Sequence, residues 1–111
     1  MTSIRNYIIV FLCVMSLQTW AQTTEMEQRY NALAARFEVR DKQLAKDLKA
    51  YLQAFPYTTF ADEVKFMQGV LQVEKGQNKK GLKTLESIDL KALTRPHQLD
   101  YTFYRGYAYL M

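Results

Sequence analysis

Cysteine is nearly absent from this chain of 111 residues. Cys13 stands alone, so neither a disulfide framework nor a Cys-rich zinc site can be built within the chain. Four glycines and two prolines are too few for a collagen-like or linker sequence. His97 is the only histidine, and Ser87 is the only serine beyond residue 21, which leaves no credible Ser-His-Asp set. No strictly alternating run lies between turn signals, so strands are not expected, nor a Gly-rich phosphate loop following one. A strong excess of one charge is missing as well. The 15 basic and 11 acidic side chains give a net +4, which favours solubility and little more. Apolar residues are plentiful at 49%, too many for a disordered chain, and the length suits one small domain.

The first residues differ from the rest. Arg5 gives a short positive start, Tyr7 to Leu17 is an apolar run broken only by Ser16, and Thr19-Trp20-Ala21 supplies small residues at −3 and −1 of a cleavage site. This pattern predicts a secretory signal peptide over residues 1–21, cleaved after Ala21. The rival reading is an uncleaved membrane anchor, but the run falls short of the ~20 apolar residues that span a bilayer. Val-Phe-Leu before Cys13 is not a lipobox, so lipidation is not expected. The mature chain would be Gln22–Met111, free of Cys and fit for an oxidising compartment.

Beyond Ala21 apolar residues recur at helical spacing. Met26, Tyr30, Leu33, Ala34 and Phe37 mark a first helix; Leu44, Leu48, Tyr51, Leu52 and Phe55 mark a second, with Asp41 as N-cap and Pro56 as its stop. A third runs from near Thr59 to Lys75 before Gly76, apolar on two faces and therefore sandwiched between neighbours. A short fourth carries Leu82, Leu85 and Ile88. Asp89 to Leu93 connects it to a fifth, capped by Thr94 with Pro96 in its first turn. In that last helix Phe103, Tyr107 and Leu110 are expected to pack on the preceding pair, leaving Tyr104, Ala108 and Met111 for a further element.

Shifting the chain by 37 residues superposes Phe66 on Phe103, Gly69 on Gly106, Val73 on Leu110 and Ala32 on Gly69. Glycine inside a helix costs ~1 kcal/mol relative to Ala, so these positions suit places where another helix backbone comes close. Gly69, Gly76 and Gly81, spaced by 7 and 5, resemble the tetratricopeptide repeat, as does the junction Phe55-Pro56-Tyr57-Thr58-Thr59-Phe60-Ala61-Asp62-Glu63. The overall resemblance, over most of residues 25–111, is to the N-terminal parts of large envelope tetratricopeptide proteins of Bacteroidetes-type bacteria. Lys65 and Gln72 stand where that family has large aromatics, and the period of 37 exceeds the ~34 usual for it, so the repeats are degenerate.

The resemblance implies an all-α fold of about five helices, an α-α superhelix of antiparallel pairs: two pairs and the first helix of a third within residues 22–111. It implies an exported scaffold in the periplasm or at the outer membrane of a Gram-negative bacterium, binding a protein or peptide and performing no catalysis. Mixed positions on first helices, Lys65, Gln68, Gln72, Tyr101 and Arg105, are the expected partner contacts. No cofactor or metal is expected. His97, without a second His or a Cys, reads as a surface residue; Asp62 and Glu63 read as first-turn carboxylates facing the helix dipole. Lys75, Lys79, Lys80, Lys83, Lys91 and Arg95 form a basic neighbourhood interleaved with Glu74, Glu86 and Asp89. A solvated face explains it better than nucleic acid, while anionic lipid headgroups or an acidic partner stay open and membrane contact is not required. The aromatic last helix is expected to pack on a further repeat or a partner. The alternative is a membrane-anchored sensory or recruiting arm of a regulator or enzyme whose functional domain lies beyond residue 111.

Overall fold

The computed structural model describes residues 24–111; the expected signal peptide and Cys13 lie outside the described residues. Those residues form five α-helices and no strand. Helix α1 covers 24–38, α2 Leu44–Ala54, α3 Ala61–Glu74, α4 Asn78–Glu86 and α5 Arg95–Leu110, with a 3-10 turn at Leu90–Ala92 before α5. The all-α expectation and its helix count are met.

Helix α3 is the centre of the molecule, with eight buried residues along its length. Its apolar positions occupy more than one face, so burial requires neighbours on several sides. Helix α4 folds back antiparallel along it. A β-carbon on Gly69 would meet the Leu85 side chain at 2.6 Å, and one on Gly81 would meet Val73 Cγ2 at 2.5 Å and the Gly69 carbonyl oxygen at 3.1 Å. The two glycines thus let the helices approach more closely than any side chain permits. Ala32 and Gly106, the equivalents of Gly69 in the 37-residue register, are exposed, and nothing lies within 4 Å of a β-carbon at Gly106.

Helices α1 and α2 form the preceding antiparallel pair, joined at one end by Arg36 to Asp47 at 2.7 Å and at the other by the Tyr51 hydroxyl donating to the Met26 carbonyl at 3.2 Å. Contacts between α1 and α3 step in the same direction along both helices, from Tyr30 stacked on Phe60 to Phe37 against Phe66 and Arg40 paired with Glu74. Those between α3 and α5 do likewise, from Glu63 with His97 to Glu74 with Tyr104. So α1, α3 and α5 run parallel side by side, with α2 and α4 returning between them. Leu44, Leu48, Tyr51, Val64, Phe66, Met67, Val70 and Leu85 form the fully buried centre of the core.

Local stops follow the chemistry of the chain. At the end of α3, Gly76 adopts φ +83°; its N–H donates to the Val73 carbonyl and that of Gln77 to the Gln72 carbonyl, a Schellman motif. The same pair of bonds closes α1, from Arg40 to Phe37 and from Asp41 to Arg36, with Arg40 at φ +52° in the position glycine normally takes. Asp41 lies two residues before α2's N-cap, Gln43, and its carboxylate accepts from the Gln43 N–H at 2.9 Å. Helix α3 starts at Ala61, later than Thr59, because the Thr58 hydroxyl accepts from the Phe60 N–H and shares a hydrogen bond with the Tyr51 hydroxyl.

The rotation of α5 corrects the sequence reading. Tyr101 and Ala108 are buried and Tyr104 is half-buried, whereas Leu99, Phe103, Tyr107 and Leu110 are exposed. His97, Tyr101, Tyr104 and Ala108 share one side of α5, and that side meets α3 through His97 with Glu63 and Tyr104 with Glu74 at 3.2 Å. Among the described residues no helix is long and apolar enough to cross a membrane.

Candidate functional site

The parallel helices α1, α3 and α5 present one continuous face, tied together by two rows of side chains. In the first row the Glu63 carboxylate is buried at 5% exposure on the opening turn of α3. One oxygen accepts the Thr94 backbone N–H at 2.6 Å and the other pairs with His97 Nδ1. The His97 ring stacks on Phe66, centroid to centroid 4.7 Å, and meets the edge of Phe37 at 6.3 Å. The hydrogen bond from Glu63 holds the imidazole above its usual pKa range against the opposing effect of burial, with Asp100 and Glu38 adding weaker negative potential. His97 is therefore half-buried and partnered, not a freely exposed residue. Glu63 sits where a dipole-facing carboxylate was expected, yet it serves as the anchor for the start of α5.

The second row begins at Arg40. Its guanidinium lies 4.0 Å above the Phe37 ring centroid and reaches Glu74 on α3 through Nε at 2.8 Å and Nη2 at 3.4 Å. The Tyr104 hydroxyl donates to the same carboxylate, and its own pKa is raised by burial and by the Glu74 charge. Three helices thus share one ion pair. The Tyr30 hydroxyl, near the far end of this face, is pushed up to about 12 by burial and by the neighbouring Glu63 and Tyr51.

Glu63 and His97 resemble the back half of a hydrolytic triad, but among the described residues His97 bonds to Glu63 and to no hydroxyl or thiol. No group of three or more His, Cys, Asp or Glu among those residues could hold a metal ion.

The expected contact residues do not share this face. With about 100° per residue, Lys65, Gln68 and Gln72 occupy the side of α3 opposite Glu63, Phe66 and Glu74. Gln68 and Gln72 line a cleft of about 170 Å³ with Ala45 and Lys49 of α2, Leu71 and Lys75 at the end of α3, and Gln77 and Lys80 at the start of α4. Gln72 accepts a hydrogen bond from the Thr84 hydroxyl at 2.7 Å. Lys65 is half-buried on the same side but does not line the cleft. Tyr101 is 7% exposed and packs in the core, so it is not presented to a partner, while Arg105 is exposed on α5. The residues that sequence reasoning missed are Glu63, His97, Arg40 and Tyr104, each acting across a helix–helix contact.

On α5 four exposed apolar residues fall on one stripe, Leu99, Phe103, Tyr107 and Leu110, with Gly106 among them, while the exposed Tyr109 lies to one side of it. Compared with known proteins, the chain matches no family model, no curated protein and no solved structure.

Proposed function

We propose that this chain is an exported, tetratricopeptide-like helical-repeat module that binds a protein partner in the bacterial cell envelope and has no catalytic activity of its own. The observation that carries the reading is the outer face of α5. In the 37-residue register, Gly106 and Leu110 correspond to Gly69 and Val73. On α3 that pair is covered by α4 through Gly81 and Leu85; on α5 the equivalent surface is open, and Leu99, Phe103 and Tyr107 extend it. Contiguous exposed apolar surface of this kind on a soluble domain marks an interaction site, and Tyr and Phe are the residues enriched there. The partner surface that fits is an amphipathic helix with a small residue at the crossing point, as α4 has.

Export is supported by the apolar run Tyr7–Leu17 followed by Thr19-Trp20-Ala21. The parallel face of α1, α3 and α5 supports a passive scaffold, because both its polar rows are engaged between helices. The test is co-purification from the envelope fraction with wild type and with Phe103→Ser/Tyr107→Ser, two changes at exposed positions. A defined partner that accompanies the wild type and is lost from the variant is the expected result. A partner set unchanged by the substitutions would overturn the reading.

A further inference from the structure

A second feature concerns charge and stands independently of protein binding. The arginines and lysines of this molecule are used differently. Every ion pair among the described residues is made by Arg29, Arg36, Arg40 or His97, and no lysine among them lies within 4 Å of a carboxylate oxygen. Three of those lysines, Lys49, Lys75 and Lys80, converge from α2, the end of α3 and the start of α4 on the cleft that Gln68, Gln72 and Gln77 also line. No carboxylate lines it.

Two acids, Asp41 and Glu74, line the adjoining cleft that shares Ala45, Leu71 and Lys75 with this one, and both already have partners. Glu74, adjacent to Lys75 in sequence, is engaged by Arg40 and Tyr104 on the opposite face of α3. Asp41 is engaged by Arg36 and the Gln43 N–H. The first turn of α4 carries no acidic residue, so it offers no counter-charge either. The Gln72 side-chain amide also borders the cleft and shares a hydrogen bond with the Thr84 hydroxyl. Ala45 and Leu71 form an apolar part of the wall, and the three lysines stand exposed around it.

We propose that this cleft is a phosphate-binding site, taking either a free phosphate or the phosphomonoester headgroup of an anionic lipid. The lysines act as point charges toward the tetrahedral dianion and the glutamine amides donate to its oxygens. The volume of about 170 Å³ has room for one such group.

The test is an NMR titration of the full chain with inorganic phosphate, followed by competition with vesicles containing phosphatidic acid in phosphatidylcholine. Saturable shifts at the backbone amides of Gln68, Gln72, Gln77 and Lys80 are expected. Lys49→Gln/Lys75→Gln/Lys80→Gln should weaken binding about tenfold or more, the effect of removing charge-assisted hydrogen bonds. The charge-matched variant Lys46→Gln/Lys83→Gln/Lys91→Gln, at exposed lysines outside the cleft, should bind as the wild type does. Displacement of phosphate by phosphatidic acid vesicles identifies the lipid as a source; phosphate binding that those vesicles leave unchanged identifies free phosphate. Shifts that do not saturate, or an equal loss in both variants, would show diffuse charge attraction and overturn the proposal, as would the absence of any shift.

Discussion

His97 Nδ1 on α5 and Glu63 Oε2 on α3 form an ion pair at the edge of the core, and the second Glu63 oxygen holds the Thr94 N–H just before the start of α5. One buried carboxylate thereby fixes where α5 begins and the line along which it packs. Removing it leaves an imidazole and a backbone donor without their acceptor in a poorly solvated place. Glu63→Ala should therefore cost about 2–4 kcal/mol in chemical denaturation, well above the effect of an exposed substitution. Asp62→Ala, one residue earlier on the same helix, should fall within ~0.5 kcal/mol of wild type.

The same pair sets a pH dependence. The His97 pKa is raised in the folded state by its hydrogen bond to Glu63, so the folded chain binds its proton more tightly than the unfolded chain. That contribution is fully present below the unfolded value of about 6.5 and is lost as pH rises through the raised folded value. Thermal melts taken from about pH 6 upward should show stability falling on the alkaline side, and His97→Phe should flatten this slope. A slope unchanged in that variant would assign it to other groups.

The helices were legible because the core follows a helical period through α1, α2 and α3, and Gly76 announced the end of α3. Gly69 also told the truth about a close helix crossing, since α4 reaches it through Gly81 and Leu85. The polar rows were not legible. Glu63 and His97 are 34 residues apart, as are Arg40 and Glu74, so each pairing depends on how two helices align along their length, which local spacing does not encode. Arg40 hid a helix stop because it occupies a left-handed position where sequence reasoning looks for glycine. Helix α5 was rotated wrongly because it is apolar on both sides, and the contacts that orient it, Glu63 with His97 and Glu74 with Tyr104, are remote in sequence.

Two glycines inside helices, one crowded and one open, carry opposite predictions. A β-carbon at Gly81 would collide with Val73 Cγ2 and crowd two backbone atoms at 3.1 Å, so Gly81→Ala should destabilise by about 1–3 kcal/mol despite the gain in helix propensity. Gly106→Ala meets nothing within 4 Å and should stabilise by up to ~1 kcal/mol. Paired urea melts of the two variants measure both signs.

At Arg40 the backbone and the side chain pull in opposite directions. Arg40→Ala keeps the left-handed strain while losing the contacts to Glu74 and the Phe37 ring. Arg40→Gly loses the same contacts but relieves the strain. The glycine variant should be the more stable of the two by about 1 kcal/mol, a difference equilibrium denaturation resolves.

The central claim is that the outer stripe of α5 receives a partner. The most direct measurement is site-specific photo-crosslinking in the intact envelope, with the reactive group at Tyr107 and, as a control, at Tyr57, which is 96% exposed but outside that stripe. The account predicts a discrete protein adduct from position 107, none from position 57, and loss of the adduct in Leu99→Ser/Phe103→Ser. The same adducts from both positions, or none from position 107, would contradict it.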